Sequence, residues 1–341
     1  LSNLKSFRES RKKDLISFDQ EIKEAIVYGK VKRGELETDF SLQLSPQEKK
    51  MMVNGKTQQS FQSYLGLFLV NAFHPGDLRL VEGGPQDRRQ ILDRLIFQHQ
   101  LSYLEIVTRY NKALKSRNAL LKSPRSLSNL EDEFSIWEAR LASYGVKIIH
   151  ERGKMIGLLS EEASKSYGEI ASKSEELRME YKASGGESLG LFSKDSLEED
   201  EGKLREALRT NRSKDYERGF TGVGPHRDDI ALYLKDHPMK HTASQGQKRT
   251  AVLAWKLGEV ELWKKEKKED HGQMPVLLID DLSSELDRYR RSCLSQLIVT
   301  YPSQVFVTST EKNFPGSDQG SLKEEKKTFQ VDEGRYSELE D

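Results

Sequence analysis

The chain has 341 residues, 35% of them hydrophobic and 32% charged, and its 55 Lys plus Arg balance 55 Asp plus Glu. Zero net charge gives no global attraction for nucleic acid or membrane, so any basic surface must be local. The one cysteine, Cys293, excludes an internal disulfide, and no apolar run reaches the length of a membrane span, so a soluble protein of the reducing cytoplasm is the expectation.

This length suits one large domain or two ordinary ones, and the high charge share fits long exposed helices. The opening LSNLKSFRES lacks an initiator Met and reads as the end of one element followed by a basic turn, as a processed or truncated start would. From residue 24 to 70 the chain reads as β-structure. AIVYGKVKRG and ETDFSLQLS alternate apolar and polar residues, as half-buried antiparallel strands do, and MMVNGKT carries the hairpin pair Asn54-Gly55.

Pro85 then opens a helical run, QDRRQILDRLIFQHQLSYLEIVTRYNKALKSRNALLK, which contains no Gly or Pro and predicts one unbroken helix. After SPRSLSNLED a second long run follows. Trp137, Leu141, Tyr144 and Ile148 fall at helical spacing, as do Met155, Leu159, Ala163, Tyr167 and Ile170. Together they suggest an arm-like helical lobe. Residues 183–202 are rich in Gly, Ser and acid and read as a flexible connection. Beyond Gly219, DDIALYLKDHPMKHTAS resembles a hairpin, and GQKRTAVLAWKLGEVELWKKEKK is a helix with Leu253, Leu257, Val260 and Trp263 on one side. PVLLI and QVFVTST are apolar strands joined by an amphipathic run, which predicts a βαβ unit and a parallel sheet. A small hairpin around KTFQVDEGRY closes the chain. The expected organisation is a β-rich segment over 1–78, a helical lobe over 79–218 and a second α/β segment over 219–341.

Two stretches carry chemistry. In PVLLIDDLSSELD a strand runs into Asp280 and Asp281, and Asp287 follows a short turn. The carboxyl edge of such a strand is where α/β proteins place ligands. Asp280 is suited to hold Mg²⁺ through water, and Asp281 to orient an attacking water. Two solvated acids at a strand end are the plain alternative. In ASQGQKRT, Ser244 is a good N-cap and Gly246 permits close approach to the backbone, with Lys248 and Arg249 nearby, so this helix start is a ready anion site. It is also consistent with an ordinary capped helix. A Ser-Gly-Gln-like signature ahead of an acidic strand end is the order used by ABC-type ATPases. Such enzymes also need GxxxxGK[ST] to cradle phosphates. The sole GK[ST] here is Gly55-Lys56-Thr57, preceded by Lys50 where the first Gly belongs and lying between strands.

GFTGVGPHRDDIALYL, TASQGQKRTAVLAWKLGEVEL, PVLLIDDLSSELD and QVFVTST, together with HPGDLRLVEGGPQDRRQILDRLI and YNKALKSRNALLK, resemble the RecF family of recombinational DNA repair proteins in order and spacing. The resemblance covers most of the chain. It implies an α/β fold: an ABC-type ATPase head with a mixed sheet and parallel core, an antiparallel β region and a long-helix arm lobe. It implies ATP and Mg²⁺ as cofactors, an ATP-dependent homodimer, binding to duplex DNA next to single-stranded gaps, and action with RecO and RecR to load RecA. Carried over by motif, Ser244, Gly246 and Gln247 would contact the partner's γ-phosphate. Asp280 would be the Mg²⁺-linked acid, Asp281 would hold the catalytic carboxylate position, and Asp287 would lie in the loop between heads.

This chain departs from the family pattern in places. The signature reads Ser-Gln-Gly-Gln, as is usual in this family, rather than the transporter form. The family's Pro-Glu-Asp is Pro75-Gly76-Asp77, and Thr308, Ser309 and Thr310 stand where transporters carry His. A segment like LSNLKSFR follows the phosphate loop in the family, so the chain is expected to begin just past that loop and, by itself, to bind ATP weakly and not hydrolyse it.

His226, Arg227, Asp228 and Asp229 in GPHRDD could be a metal or acid–base cluster, but a salt-bridged loop fixing a hairpin is the favoured reading. Arg109, Lys112, Lys115, Arg117, Lys122 and Arg125 make one helix strongly basic within a neutral chain. Phosphate contacts from it would be sequence-independent and salt-sensitive, and a solvated face is the alternative. A non-enzymatic DNA-binding or scaffolding protein that keeps the head fold is the competing hypothesis. The helical runs are too short for the coiled coil of an SMC-like protein.

Overall fold

The computed structural model describes residues 15–16, 24–58, 67–171, 175–184, 196–270, 274–280, 287–310, 327–332 and 334–339. In chain order the elements are β1 (Ala25–Arg33), β2 (Leu36–Leu44), β3 (Lys49–Val53), β4 (Lys56–Thr57) and β5 (Val70–Phe73). The helices α1 (Arg79–Glu82), α2 (Pro85–His99), α3 (Ser102–Leu121) and α4 (Glu131–Ile170) follow. Next come β6 (Leu177–Lys182), α5 (Leu197–Thr210), α6 (Arg212–Arg218), β7 (Asp229–Leu234), β8 (His237–Pro238), α7 (Met239–Thr242) and α8 (Gln245–Asp270). The last are β9 (Val276–Asp280), α9 (Arg288–Thr300), β10 (Val305–Thr308), β11 (Thr328–Asp332) and β12 (Arg335–Leu339). The chain forms two compact units, one of residues 1–70 with 76–275 and one of residues 71–75 with 276–341.

In the first unit, β1 to β4 form an antiparallel sheet in sequential order. The alternation along β2 places Phe40, Leu42 and Leu44 on a buried face with Met51 of β3. Asn54 and Gly55 both adopt positive φ, 49° and 74°, as a two-residue hairpin turn demands. Lys56 and Thr57 therefore enter a strand rather than a helix, which removes Gly55-Lys56-Thr57 as a phosphate loop.

The predicted single helix after Pro85 is two. Gln100 is extended (φ −140°, ψ 94°) and separates α2 from α3. No Gly or Pro causes this break; tertiary bonds do. Gln98 donates its amide to the Val70 carbonyl at 2.9 Å. Beyond the break Tyr103 turns inward, 1% exposed, with its hydroxyl on Asp93 at 2.6 Å. The second run holds as one 40-residue helix, about 60 Å long at the helical rise. It buries Leu141, Ile148, Leu159, Ala163, Tyr167 and Ile170 against α3, α5 and α8.

Helix α8 is more buried than an amphipathic reading allows. Besides Leu253, Val260 and Trp263, it hides Ala251, Ala254, Trp255, Lys256 and Glu259. A Cβ on Gly258 would meet Leu159 Cδ1 at 3.0 Å and the Ala163 backbone nitrogen at 3.1 Å, so glycine is what lets α8 sit against the backbone of α4. The buried Lys256 ammonium pairs with Glu259 at 3.2 Å and lies 3.9 Å from Asp77, which gives the Pro75-Gly76-Asp77 turn a structural role. Sheet β6-β7-β8 is antiparallel, with Leu177 opposite Leu234.

In the second unit, β9 and β10 pair in parallel across α9, with Leu277 opposite Val305 and Asp280 opposite Thr308; strand order is β10-β9-β5. The predicted βαβ unit is present. The closing hairpin is β11–β12. Of the predicted connection over 183–202, residues 185–195 lie outside the described residues, but 197–202 are the first turns of helix α5, capped by Ser196, so the acidic run there is helix and not linker. The start of the chain falls largely outside the described residues. Among those described, no helix is long and apolar enough to cross a membrane.

Candidate functional site

The start of α8 is built as a reciprocal cap. The Ser244 hydroxyl accepts from the Gln247 N–H at 3.3 Å, and the Gln247 side-chain carbonyl accepts from the Ser244 N–H at 2.8 Å. This is the Ser-x-x-Gln capping box that the sequence spells. Ser244 and Gln245 remain exposed, and Gly246 adds no side chain above the turn. The other end of the Gln247 amide donates to Glu175 at 2.8 Å, and Glu175 in turn accepts from the Tyr167 hydroxyl at 3.1 Å. Gln247 is thus held in one orientation from both ends. A second carboxylate stands beside it. One oxygen of Glu82, at the end of α1, accepts from both Gln245 Nε2 and Lys248 Nζ, each at 3.1 Å. Those bonds hold the Glu82 carboxyl below the usual range, Lys248 contributing most and Gln245 next. Neither Glu82 nor Glu175 is foreshadowed by the sequence, since both lie far from Ser244 along the chain.

In the second unit, Asp280 closes β9 and is 8% exposed. The Thr308 hydroxyl, on the neighbouring strand end, donates to Asp280 Oδ1 at 2.7 Å. A carboxylate at such a strand end is a hard oxygen donor. Mg²⁺ characteristically takes one or two carboxylates and completes its shell with water and phosphate oxygens, so this donor fits it. Among the described residues, no group of three or more His, Cys, Asp or Glu forms a cation cage. Asp281 lies outside the described residues. Asp287 caps α9, accepting from the Arg290 N–H at 2.9 Å and pairing with the Arg290 guanidinium.

Helix α3 exposes Arg109, Lys112 and Lys115, and Lys122 follows, also exposed, as its C-cap. They span about 20 Å along the axis at the helical rise. Arg109 is engaged by Glu105, while Lys112, Lys115 and Lys122 carry no ion pair among the described residues. A groove of about 460 Å³ runs beside them, lined by Asn111, Leu114, Lys115, Asn118, Ala119 and Lys122. Arg125 is engaged by Glu133 at 2.9 Å.

Arg117 does not belong to that stripe. It is 0% exposed and donates to Asp215 at 2.7 Å, Thr221 at 2.9 Å, the Leu208 carbonyl at 3.0 Å and Glu138 at 3.1 Å. The sequence did hold a signal. Arg117 is one or two helical turns from Tyr110, Ala113 and Leu121, all on the buried face.

The GPHRDD loop is consumed by internal bonds. His226 lies 2.7 Å from the Tyr110 hydroxyl through Nδ1 and 2.9 Å from the Thr221 carbonyl through Nε2. Burial pushes its pKa down to about 4, so the ring is neutral, donating from Nε2 and accepting at Nδ1. Asp228 accepts from the Tyr181 hydroxyl and from the Ser184 N–H. Asp229 forks with Arg88 at 2.7 and 2.9 Å. Arg227 lies over the Phe220 ring at 4.5 Å. Arg152 donates to the Pro225 carbonyl at 2.7 Å and forks with Asp93. The cluster ties α2, α3, α4 and β6 to one loop, and its acids are satisfied without a metal.

No protein-family model matches the chain. A DNA replication and repair protein RecF from Geobacter sp. (strain M21) is 33% identical over 335 residues, which covers 98% of this chain and 87% of the relative. Another, from Desulfitobacterium hafniense (strain DSM 10664 / DCB-2), is 35% identical over 314 residues, covering 89% of this chain and 82% of the relative. A solved structure described as the recombination mediator protein RecF-ATP in the RecFOR pathway superposes with a TM-score of 0.83 at 30% identity, covering 98% of this chain and 86% of that one.

Proposed function

The chain belongs to the RecF family of DNA replication and repair proteins, and from that premise we propose that it is a DNA-binding head of the ABC ATPase type whose copies associate around ATP. The observation that carries this reading is the exposed Ser244–Gln247 capping turn at the start of α8, in a chain that aligns with RecF relatives over nearly its whole length.

On this reading Ser244, Gly246 and Gln247 of one molecule meet the γ-phosphate of a nucleotide held by a second. Helix-start N–H groups and the positive end of the helix dipole favour that contact. Asp280, steadied by Thr308, supplies the carboxylate for a water-bridged Mg²⁺, which when bound neutralises phosphate charge. Asp281 orients water, and Asp287 lies between heads. Arg109, Lys112, Lys115 and Lys122 contact DNA phosphates, favouring duplex beside a single-stranded gap without reading sequence. The setting is the cytoplasm, with RecO and RecR as partners and RecA loading as the outcome; the pathway named for the solved relative supports this.

These 341 residues by themselves bind ATP weakly and do not hydrolyse it, because their one GK[ST] lies in a β-hairpin. Two measurements test the proposal. Fluorescence anisotropy with gapped and intact duplexes should give salt-sensitive binding that is tighter for the gapped form. Calorimetric titration with Mg·ATP should give weak binding, and micromolar affinity would overturn the claim about the nucleotide. That same hairpin favours a second reading, a non-enzymatic DNA-binding scaffold. ATP-independent DNA affinity and the absence of ATP-dependent self-association, when a phosphate-loop segment is supplied, would select it.

A further inference from the structure

We propose that Glu82 is a built-in competitor for phosphate at the start of α8, an autoinhibitory carboxylate that must leave before a nucleotide's phosphates can dock. The inference rests on the reading of Ser244, Gly246 and Gln247 as the phosphate-facing segment and adds a control to it. Two side chains of the turn, Gln245 and Lys248, converge on a single Glu82 oxygen at 3.1 Å each. They are the amide donor and the ammonium closest in sequence to the segment that would meet phosphate. Glu82 gives that segment an anion from its own chain. It comes from α1, so the contact ties two elements distant in sequence and is not part of the helix's own cap.

The pair is asymmetric in a way that suits a displaceable contact. The Lys248 side chain is 14% exposed and the Glu82 side chain 42%. When the pair opens, Glu82 swings into water at little cost. Lys248 stays packed by its stem near the helix start, its charge left for an incoming anion. Gln247 is different. Its amide is fixed at both ends, by Ser244 and by Glu175, so it keeps its pose whether Glu82 is on or off. The turn therefore contains a fixed reader, Gln247, and a releasable cover, Glu82. A partly exposed ion pair is weak, so the cover biases the equilibrium and does not block it.

The test uses the full chain, inorganic tripolyphosphate as the anion, calorimetry for affinity and backbone amide resonances of Gln245–Lys248 for location. Glu82→Gln removes the charge and keeps the shape. It should bind tripolyphosphate roughly two- to fivefold more tightly than the wild type, with the resonance changes centred on Gln245–Lys248. Glu198→Gln removes the same charge from an exposed position on α5 and should leave affinity unchanged. Equal affinity of Glu82→Gln and wild type, with shifts still at Gln245–Lys248, would overturn the competitor role and leave the phosphate-facing reading standing. An equal gain from Glu198→Gln would reduce the effect to general charge and overturn the role as well. No shift at Gln245–Lys248 in any form would overturn both.

Discussion

Replacing Arg117 with Ala separates a buried keystone from a DNA contact. In the folded chain the guanidinium sits between Glu138 and Asp215, whose side chains are each 2% exposed, and also serves Thr221 and the Leu208 carbonyl. Removing it strands charge unequally. Glu138 keeps the Arg212 fork at 3.0 and 2.7 Å, whereas Asp215 keeps the Gly222 N–H at 2.9 Å and no cation among the described residues. Breaking a buried pair by deleting one partner costs about 3–5 kcal/mol, and the surviving Arg212 fork places this case near the lower end. Lys115→Ala, on the exposed face of the same helix, should stay within about 0.5 kcal/mol of wild type. Urea unfolding of the two variants measures the difference. Arg117→Lys should recover little, because an ammonium cannot span both carboxylates as the planar fork does. If Arg117→Ala unfolds like the wild type yet loses DNA affinity, the assignment of Arg117 to the interior is wrong.

Charge reversal of Lys112 and Lys115 together should weaken binding to gapped duplex and lower the slope of log affinity against log salt by about 2, read by anisotropy at several salt concentrations. Neutral His226 titrates near 4 when folded against about 6.5 when unfolded, so between these values the unfolded chain holds the extra proton. Its contribution is complete above about pH 6.5 and fades as pH falls toward 4; between pH 7 and 5 the loss is roughly 2 kcal/mol, and His226→Asn should lack that component in urea unfolding at the two pH values. Gly258→Ala forces a methyl group against Leu159 and the Ala163 backbone and should cost about 1–3 kcal/mol by thermal or urea unfolding.

Much of this architecture is legible in the residues because local periodicity and turn chemistry agree with the fold. The alternation in ETDFSLQLS, the Asn54-Gly55 turn, the 40-residue run after SPRSLSNLED and the PVLLI–QVFVTST pair each specify an element through neighbours in sequence. The N-cap role of Ser244 is legible for the same reason. What escaped is non-local. The break at Gln100 depends on where Tyr103 and Gln98 find partners, and no breaker residue marks it. Cations on α3 look alike until the helix is turned, and the opposing carboxylates that swallow Arg117 arrive from α4 and α6. The burial of the middle of α8, between Thr250 and Trp263, is similarly invisible, because Lys256 and Glu259 look like surface residues until each supplies the other's counter-charge.

At Gly258, α8 approaches the main chain of α4 at a single crossing point, with Leu159 Cδ1 and the Ala163 backbone nitrogen about where a Cβ would need room. Turning α8 about its long axis would bring a residue with a side chain to that point, where there is no room for one. The direction in which the start of α8 faces is thus tied, through that crossing point, to the position of α4.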